Sequence, residues 1–375
     1  MFVEIHIVQS FAPSNLNRDD TGNPKDTEFG GVRRARISSQ CIKRSIRMHP
    51  AFSQATEVDL GVRTRWITRL LVPPLLEAGK PESEVLAVAT AFATQYSKMD
   101  KEHTSVLIYL SRNEIQAAIQ GMLKQWAGIV GNLQEKKNPE LEAVVKELFK
   151  QVKNRTGAPD IALFGRMLAE KPELNLDAAC QVAHAISTHR VNMEIDFFTA
   201  VDDLAREDPT NEGGLGAGMM GVIPFNSACF YRYARLDWEL LLRNLGGDED
   251  LALRTVAGFL RAAVLAVPTG KQTSFAAQNP PDFVLGVVRD DGQSWSLANA
   301  FEVPVQPARS GGVVSPSIAA LDAYWAKLME YYGSNTIQPA VLTLADSAML
   351  PNLAPYQTAN LDAWGQKITS ALRKE

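Results

Sequence analysis

Apolar and polar positions alternate from the first residues: Val3, Ile5 and Ile7 are apolar, Glu4 and His6 polar. A period of two predicts a strand over residues 2–8 with two different faces. The stretch Ser14 to Gly31, rich in Asn, Asp and Gly, reads as a long loop. Ser38 and Ser39 offer an N-cap, and CIKRSIRM continues as a short helix with Ile42 and Ile46 on one face. From about Asp59 to His189 the period changes to 3.6. RWITRLLVPPLLEAG, SEVLAVATAFATQYS, TSVLIYLSRNEIQAAIQGMLKQWAGIV, PELEAVVKELFKQVKN, APDIALFGRMLAE and LDAACQVAHAIS each read as helical. Turns are expected at Pro73-Pro74, Gly79-Lys80-Pro81, Asn138-Pro139 and Gly157-Ala158-Pro159. Strands resume at Val191 to Val201. The glycine-rich run AREDPTNEGGLGAGMMG then separates that segment from NSACFYRYARL, which predicts a long β-hairpin arm. Further helices are expected near Trp238–Leu245, Asp248–Val267, Ser317–Tyr332 and Leu361–Arg373, and strands near Asp282–Val288 and Trp295–Glu302.

With the helical block set aside, the order is β, α, β-hairpin-β, α, β. That is the split β-α-β-β-α-β ferredoxin-like plan, which is also the scaffold of RNA recognition modules. The expected class is α+β: a ferredoxin-like core with a large helical insertion and a β-hairpin. Four stretches follow: 1–58 and 229–375 for the core, 59–189 for the insertion and 190–228 for the hairpin. The plan hosts many functions, so function has to be argued from side chains.

A net charge of −4, from 38 Lys plus Arg against 42 Asp plus Glu, excludes a globally basic nucleic-acid binder. Any such site must come from local charge. The three cysteines, Cys41, Cys180 and Cys229, include no CxxC, which argues against a disulfide framework or a cysteine-rich zinc site. Glu4 and His6 interrupt what a secretory leader would keep apolar, and no run reaches the length of a membrane span. A cytoplasmic protein with no membrane partner is expected.

Local charge is concentrated in residues 29–56, which hold Arg33, Arg34, Arg36, Lys43, Arg44 and Arg47 and no acid. Lys43 and Arg47 are four apart and share a helix face. Ser38, Ser39 and Gln40 stand where that helix begins and its free N–H groups attract anions. Gly30-Gly31 would let backbone approach a phosphate closely. Asn15, Asn17, Arg18 and Lys25 in the preceding loop add hydrogen bonds and charge. Asp19, Asp20, Asp26 and Glu28 beside them raise the alternative of a Mg²⁺ held for phosphodiester cleavage. Gly165-Arg166-Met167 ends an apolar stretch with a cation for phosphate and an unbranched Met for packing. Gly270-Lys271-Gln272 resembles the end of a Walker A loop, but Leu265 stands where the first glycine belongs, so a basic loop touching phosphate is the better reading. His6, His49, His103, His184 and His189 form no H-E-x-x-H, and no nucleophile, dinucleotide or kinase motif appears. No catalytic residue, cofactor or resident metal is expected.

The run NRDDTGNPKDTEFGGVRRARISSQCIKRSIR closely resembles the CasC-type backbone subunit of the type I-E CRISPR Cascade complex. So do DIALFGRM, AHAISTHRVNMEIDFFTAVDDL, FYRYARL, VPTGKQTSFAAQNPPD and SLANAFE, in the expected order. The resemblance implies a right-hand shape, with an RRM-like palm, helical fingers and a hairpin thumb. It implies copies stacked in a helical filament along a CRISPR RNA, with the target DNA strand and other Cascade subunits as further partners. Each thumb would kink the RNA at regular intervals while the guide supplies sequence. By position, Lys25, Ser38, Gln40, Lys43, Arg44 and Arg47 match palm residues on RNA phosphates. Arg166 and Met167 match finger residues beside the kink, and Phe198, Thr199 and Val201 match the thumb wedge. Without the resemblance, Phe197 and Phe198 read as strand core. The tip GGLGAGMMGVIPF departs from the family pattern. The alternative function is a metal-dependent endoribonuclease backbone subunit that cuts complementary RNA with Asp19, Asp20 or Asp26.

Overall fold

The structure is a computed structural model that describes residues 1–135, 137–168, 170–200, 219–290, 293–333 and 337–373. In chain order the elements begin with β1 (Phe2–Ser14), β2 (Asp26–Phe29), β3 (Val32–Ile37), α1 (Ser39–Met48), α2 (Pro50–Thr56), β4 (Val62–Thr64), α3 (Thr68–Glu77) and α4 (Glu82–Thr94). Next come β5 (Met99–Asp100), β6 (His103–Thr104), β7 (Ile108–Leu110), α5 (Arg112–Lys124), α6 (Trp126–Gly131), α7 (Pro139–Gln151) and α8 (Pro159–Phe164). Then follow β8 (Cys180–Val182), β9 (Ala185–Ser187), β10 (Glu194–Ala200), β11 (Met219–Asp237), α9 (Trp238–Asn244), α10 (Glu249–Leu265) and α11 (Gln272–Phe275). The chain closes with β12 (Phe283–Arg289), α12 (Val314–Tyr332), β13 (Ile337–Thr343) and α13 (Leu361–Leu372). Contacts divide it into two compact units. One is Phe2–His49, Val182–Arg235 and Leu260–Glu375; the other is Met1, Pro50–Gln181 and Leu236–Phe259. Among the described residues no helix is long and apolar enough to cross a membrane.

The first unit is built on a sheet ordered β13-β12-β1-β11-β9-β3-β2. The pairs β1–β12, β12–β13, β11–β9, β9–β3 and β3–β2 are antiparallel. Ile5 and Ile7 of β1 meet Ile42 and Ile46 of α1 and Ala263 of α10, with almost no void between them. Val8 joins the core formed by Phe283, Leu285, Trp295, Phe301, Ile318 and Trp325. Both faces of β1 are therefore covered, and the polar positions are buried with the rest. Glu4 Oε1 accepts from the Tyr233 hydroxyl and the Trp295 N–H, and Glu4 Oε2 pairs with Arg289 at 3.3 Å. The His6 imidazole Nδ1 lies 2.9 Å from the Tyr231 hydroxyl. Burial of this network beneath α12 is why an alternating pattern here does not mean a solvent face.

The second unit buries Leu71, Val88, Phe92, Tyr96, Met122, Ile129 and Leu148 in one helical core. Ser111 and Glu114 form a reciprocal capping box at α5, and Asn138 caps α7.

Several expectations are corrected. The stretch 14–31 is not one loop: β1 runs to Ser14, and Gly30-Gly31 is the two-residue turn of the β2–β3 hairpin, with φ of 61° and 71°. Pro73-Pro74 lies inside α3, where burial of Leu71 and Leu75 outweighs the lost backbone bonds. Residues 103–104 and 108–110 are extended, in keeping with the aromatic Tyr109 and β-branched Ile108. α8 stops at Phe164 because Gly165 takes φ 77° against the Leu176 backbone. Residues 180–182 and 185–187 are strands rather than helix, drawn into extended pairing by tertiary context. Leu297–Phe301 is a 3-10 helix started by the Ser296 side chain, not a strand.

Candidate nucleic-acid interface

α1 is amphipathic in the simplest way. Ile42 and Ile46 face the sheet, Gln40 and Arg44 face solvent, and Lys43 and Arg47 flank them half-buried. Ser38 is the N-cap: its Oγ accepts from the Cys41 N–H, and no acid occupies the first turn. The positive end of the helix is thus left without a carboxylate.

The loop ahead of β2 is folded onto that end. The Lys25 N–H donates to the Asn17 carbonyl, and Asn17 Oδ1 accepts from the Ser38 N–H at 2.8 Å. Asn15 Nδ2 donates to the carbonyls of Gly22 and Pro224. Asn15 and Asn17, expected to bind ligand, instead fasten the loop to α1 and β11. Asp19 accepts from the Thr21 hydroxyl and from the Thr21 and Asn23 amides, and these bonds hold its carboxyl below the usual range. The loop, α1 and the backbone of Thr269–Gly270 enclose an open cleft of about 460 Å³. Arg18, Asp19, Asp20, Cys41, Arg44 and Ser45 are among its walls.

Gly270 explains why the Gly-Lys-Gln sequence matters here. A Cβ on it would sit 2.3 Å from the Leu16 carbonyl oxygen, so only glycine lets the two backbones press together. Lys271 follows in a left-handed conformation, φ 52°, at the start of α11. Phe275 of α11 packs against Phe225 of β11, with ring centroids 5.7 Å apart. Loop 15–25, loop 268–275 and the base of the β10–β11 hairpin therefore converge beside α1.

Not all the cations serve this cleft. Arg34 is fully buried; its guanidinium donates to the carbonyls of Phe29, Ser187, Phe301 and Glu302. It is a structural staple, not a phosphate ligand. Gly30, expected to approach a phosphate, instead lies against the Glu302 carbonyl. Arg33 pairs with Asp26 at 3.1 Å on the surface. Arg36 donates to the Asp26 carbonyl and lies 3.4 Å from His184 Nδ1. That nitrogen also accepts from the Ser39 N–H, the first amide of α1. Burial, then Arg36 and Lys25, lower the His184 pKa. A neutral imidazole therefore sits at the helix start, a neighbour that no spacing pattern in the sequence betrays.

Arg166 belongs to the helical unit and is likewise corrected. Its guanidinium is buried, 2.6 Å from Glu114 Oε1, and donates to the Leu174 carbonyl. Met167 beside it is 85% exposed.

β10 pairs with Met219–Phe225 of β11, and every residue of β10 is exposed. Phe197 and Phe198 are therefore not core: they are 77% and 36% exposed on a two-stranded arm. Phe198 lies across Gly221, where a Cβ would meet the ring at 2.2 Å. Thr199 is opposite Met220, and Val201 lies outside the described residues. The described residues hold no group of three His, Cys, Asp or Glu placed to bind a metal.

Residues 3–366 match the sequence profile of a family described as CT1975-like protein. No curated protein matches. A solved chain described as "CRISPR RNA-guided surveillance complex, pre-nicking" is 32% identical, covers 100% of both chains and superposes with a TM-score of 0.84. Another, "CRISPR RNA-guided surveillance complex", is 26% identical over 99% of this chain and 100% of its own, with a TM-score of 0.75.

Proposed function

This chain belongs to the CT1975-like protein family, and from that premise we propose that it is a non-catalytic RNA-binding subunit of a type I-E CRISPR interference complex. Copies of it line a CRISPR RNA, hold its phosphates and kink it at intervals, so that exposed segments pair with a target DNA strand. Arg18, Lys25, Lys43, Arg44, Arg47 and Lys271 supply charge, and Gln40 supplies hydrogen bonds beside the start of α1. Ser38 caps that helix, whose first turn carries no acid. Phe198 and Thr199 stand on an exposed arm, where an aromatic ring can replace a lost stacking partner at roughly 1–3 kcal/mol. Met167 is exposed enough to pack on a base. The sheet order β12-β1-β11 followed by β9-β3 supports an RRM-like palm, since it follows the 4-1-3-2 order of a ferredoxin-like sheet.

The observation that carries the reading is the cleft itself. Two arginines, a glycine-enforced lysine loop and an acid-free helix start surround one open groove. Of the acids that could serve the alternative reading, Asp19 takes three hydrogen bonds on Oδ1 from its own loop, Asp26 pairs with Arg33, and Asp20 lines the groove exposed. The test is the double variant Arg18→Glu/Arg44→Glu, because both side chains are exposed. Small RNA co-purifying with the wild type should be lost at unchanged melting temperature. The wild-type affinity should fall with salt at a slope of about −0.7 per phosphate contact. Undiminished RNA recovery from the double variant refutes the site, and regularly spaced cleavage of complementary RNA with Mg²⁺ refutes the non-catalytic part.

A further inference from the structure

Two walls of the cleft are tied to successive residues at the root of the β10–β11 arm. β1 neighbours β11 in the sheet and ends at Ser14. The Ser227 hydroxyl donates to the Phe11 carbonyl, and Asn15 Nδ2 donates to the Pro224 carbonyl at 2.9 Å. These contacts advance in opposite directions along the two segments, as in an antiparallel ladder, so the Asn15 carboxamide adds a last rung after β1 has ended. The same Nδ2 donates its other N–H to the carbonyl of Gly22, a wall of the cleft, at 3.1 Å. A second wall, Thr269–Gly270, belongs to the loop that leads into α11, whose Phe275 packs on Phe225. Gly270 presses on the carbonyl of Leu16, the residue after Asn15. Asn15 is 1% exposed, and its Oδ1 takes no hydrogen bond among the described residues. A buried acceptor left unpaired is costly, so the carboxamide is held here by its two N–H groups.

We propose that Asn15 is a positioning residue that links the arm to the cleft, so that filling the cleft sets the direction of the arm. The inference rests on the RNA-binding reading and adds to it the means by which phosphate contact and kinking become one event. Past Pro224 the described arm is a two-stranded ribbon in which every residue of β10 is exposed. Such a ribbon has little stability of its own, so its direction is set at the root. The root residues are Pro224, held by Asn15, and Phe225, held by Phe275, and each tie leads back to a loop that walls the cleft. Phe198 stands opposite Gly221, three residues from Pro224. At about 3.4 Å per residue, a turn of about 10° at the root moves that position by about 2 Å. A gap of about 0.5–1 Å already forfeits a quarter to a half of a van der Waals contact, so a turn of that size decides whether the ring meets a base. Coupling of this kind is reciprocal: an arm released from Asn15 also weakens the hold of the cleft, although no cation has been removed.

The experiment compares the wild-type assembly with Asn15→Asp, which keeps the shape of the side chain and turns an oxygen toward the two carbonyls. Co-purifying RNA per chain should persist. Binding of a short fluorescein-labelled oligouridylate should weaken by about threefold to tenfold, the range of one or two hydrogen bonds, with its salt slope unchanged. Acylation mapping of 2′-hydroxyls along the co-purified RNA should show regularly spaced reactive positions in the wild type and a flattened pattern in the variant. A pattern as sharp as that of the wild type overturns the assignment. So does a shallower salt slope or a loss of RNA, either of which would make Asn15 part of the phosphate grip. If the buried carboxylate impairs folding, Asn15→Leu, which removes the donors without adding charge, is read by the same measurements. Should the wild type carry no RNA, or carry it without spaced reactivity, the guide reading fails and hydrogen–deuterium exchange on the free full-length chain decides this one. Residues 194–200 and 268–275 should then both exchange faster in the variant, and equal exchange overturns the link.

Discussion

Replacing Arg34 separates architecture from RNA binding more sharply than any change in the cleft. Its guanidinium makes four hydrogen bonds to main-chain carbonyls, at 3.1 Å to Phe29 and Ser187, 2.8 Å to Phe301 and 3.2 Å to Glu302. Arg34→Met fills much of the volume but removes every donor. Each charged hydrogen bond contributes about 1.5–3 kcal/mol, and a carbonyl left dry costs about 1–3 kcal/mol. Against this, the variant no longer buries a cation, whose desolvation already lowers the Arg34 pKa. With part of the loss offset in that way, a destabilisation of about 3–5 kcal/mol is expected. At roughly 2–4 °C per kcal/mol, the melting temperature should fall by about 6–20 °C. Arg34→Lys should recover little, because a single ammonium cannot span four carbonyls fixed in different directions. The assay is thermal unfolding followed by circular dichroism, with RNA content measured on the folded fraction. Arg44→Glu is the matched control and should show the reverse pattern: normal melting and no RNA. An Arg34→Met protein that melts normally but arrives free of RNA would refute the reasoning, since it would make Arg34 a ligand of phosphate.

Three further outcomes follow from individual contacts. His6 is fully buried and its pKa is lowered by that burial, and secondarily by Arg289, to about 3. Between pH 6.5 and about 3 the unfolded chain holds a proton that the folded one lacks. The contribution is therefore complete above pH 6.5 and drains as the pH falls, by up to about 1.4 kcal/mol per unit; the wild-type minus His6→Gln difference in urea unfolding should show that limb, and parallel profiles would exclude it. Gly270→Ala should force the 268–271 backbone off Leu16 and weaken RNA binding in a filter assay while α1 stays folded, so unchanged affinity would dissociate the lysine loop from the site. Glu114→Gln should destabilise the helical unit by about 3–5 kcal/mol by leaving Arg166 buried without its counter-charge, whereas Glu114→Gln/Arg166→Met should be milder, a contrast that chemical denaturation resolves.

What the sequence disclosed depended on whether the deciding force was local. α1, its cap at Ser38 and the inward Ile42 and Ile46 follow from spacing and capping chemistry alone, and the structure has them. The hairpin arm was legible only in outline: β10 pairs with Met219–Phe225, at the end of the glycine-rich run and its tip, whereas the expected partner NSACFYRYARL lies in the main sheet, where Phe230 and Tyr231 pair with β9. Non-local pairing was not: Cys180–Val182 and Ala185–Ser187 carry a helical pattern yet are extended. Cations were misread for a related reason. Arg166 sits in a plain Gly-Arg-Met string, and only Glu114, fifty-two residues away, reveals that it is an internal ion pair. His184 offered no metal or catalytic spacing, and its place at the first amide of α1 is created by β9 lying beside β3.

The two groups of cations are coupled through strand register. Along β3, Arg33 points to solvent and Arg34 to the interior, as successive residues on a pleated strand must. A slip of one position would place Arg33 or Ala35 in the socket formed by the four carbonyls and turn the rest of the strand over. Neither alternative fits: Arg33 is paired to Asp26 across the β2–β3 hairpin, and alanine has no donor to offer. Arg34 thus locks the register of β3, and β3 ends at Ile37, one residue before the cap of α1. The position of Ser38 and the outward face that bears Arg44 both inherit that register. A buried side chain therefore decides where α1 begins, which is why losing Arg34 should cost the fold first and RNA binding in the proposed cleft only as a consequence.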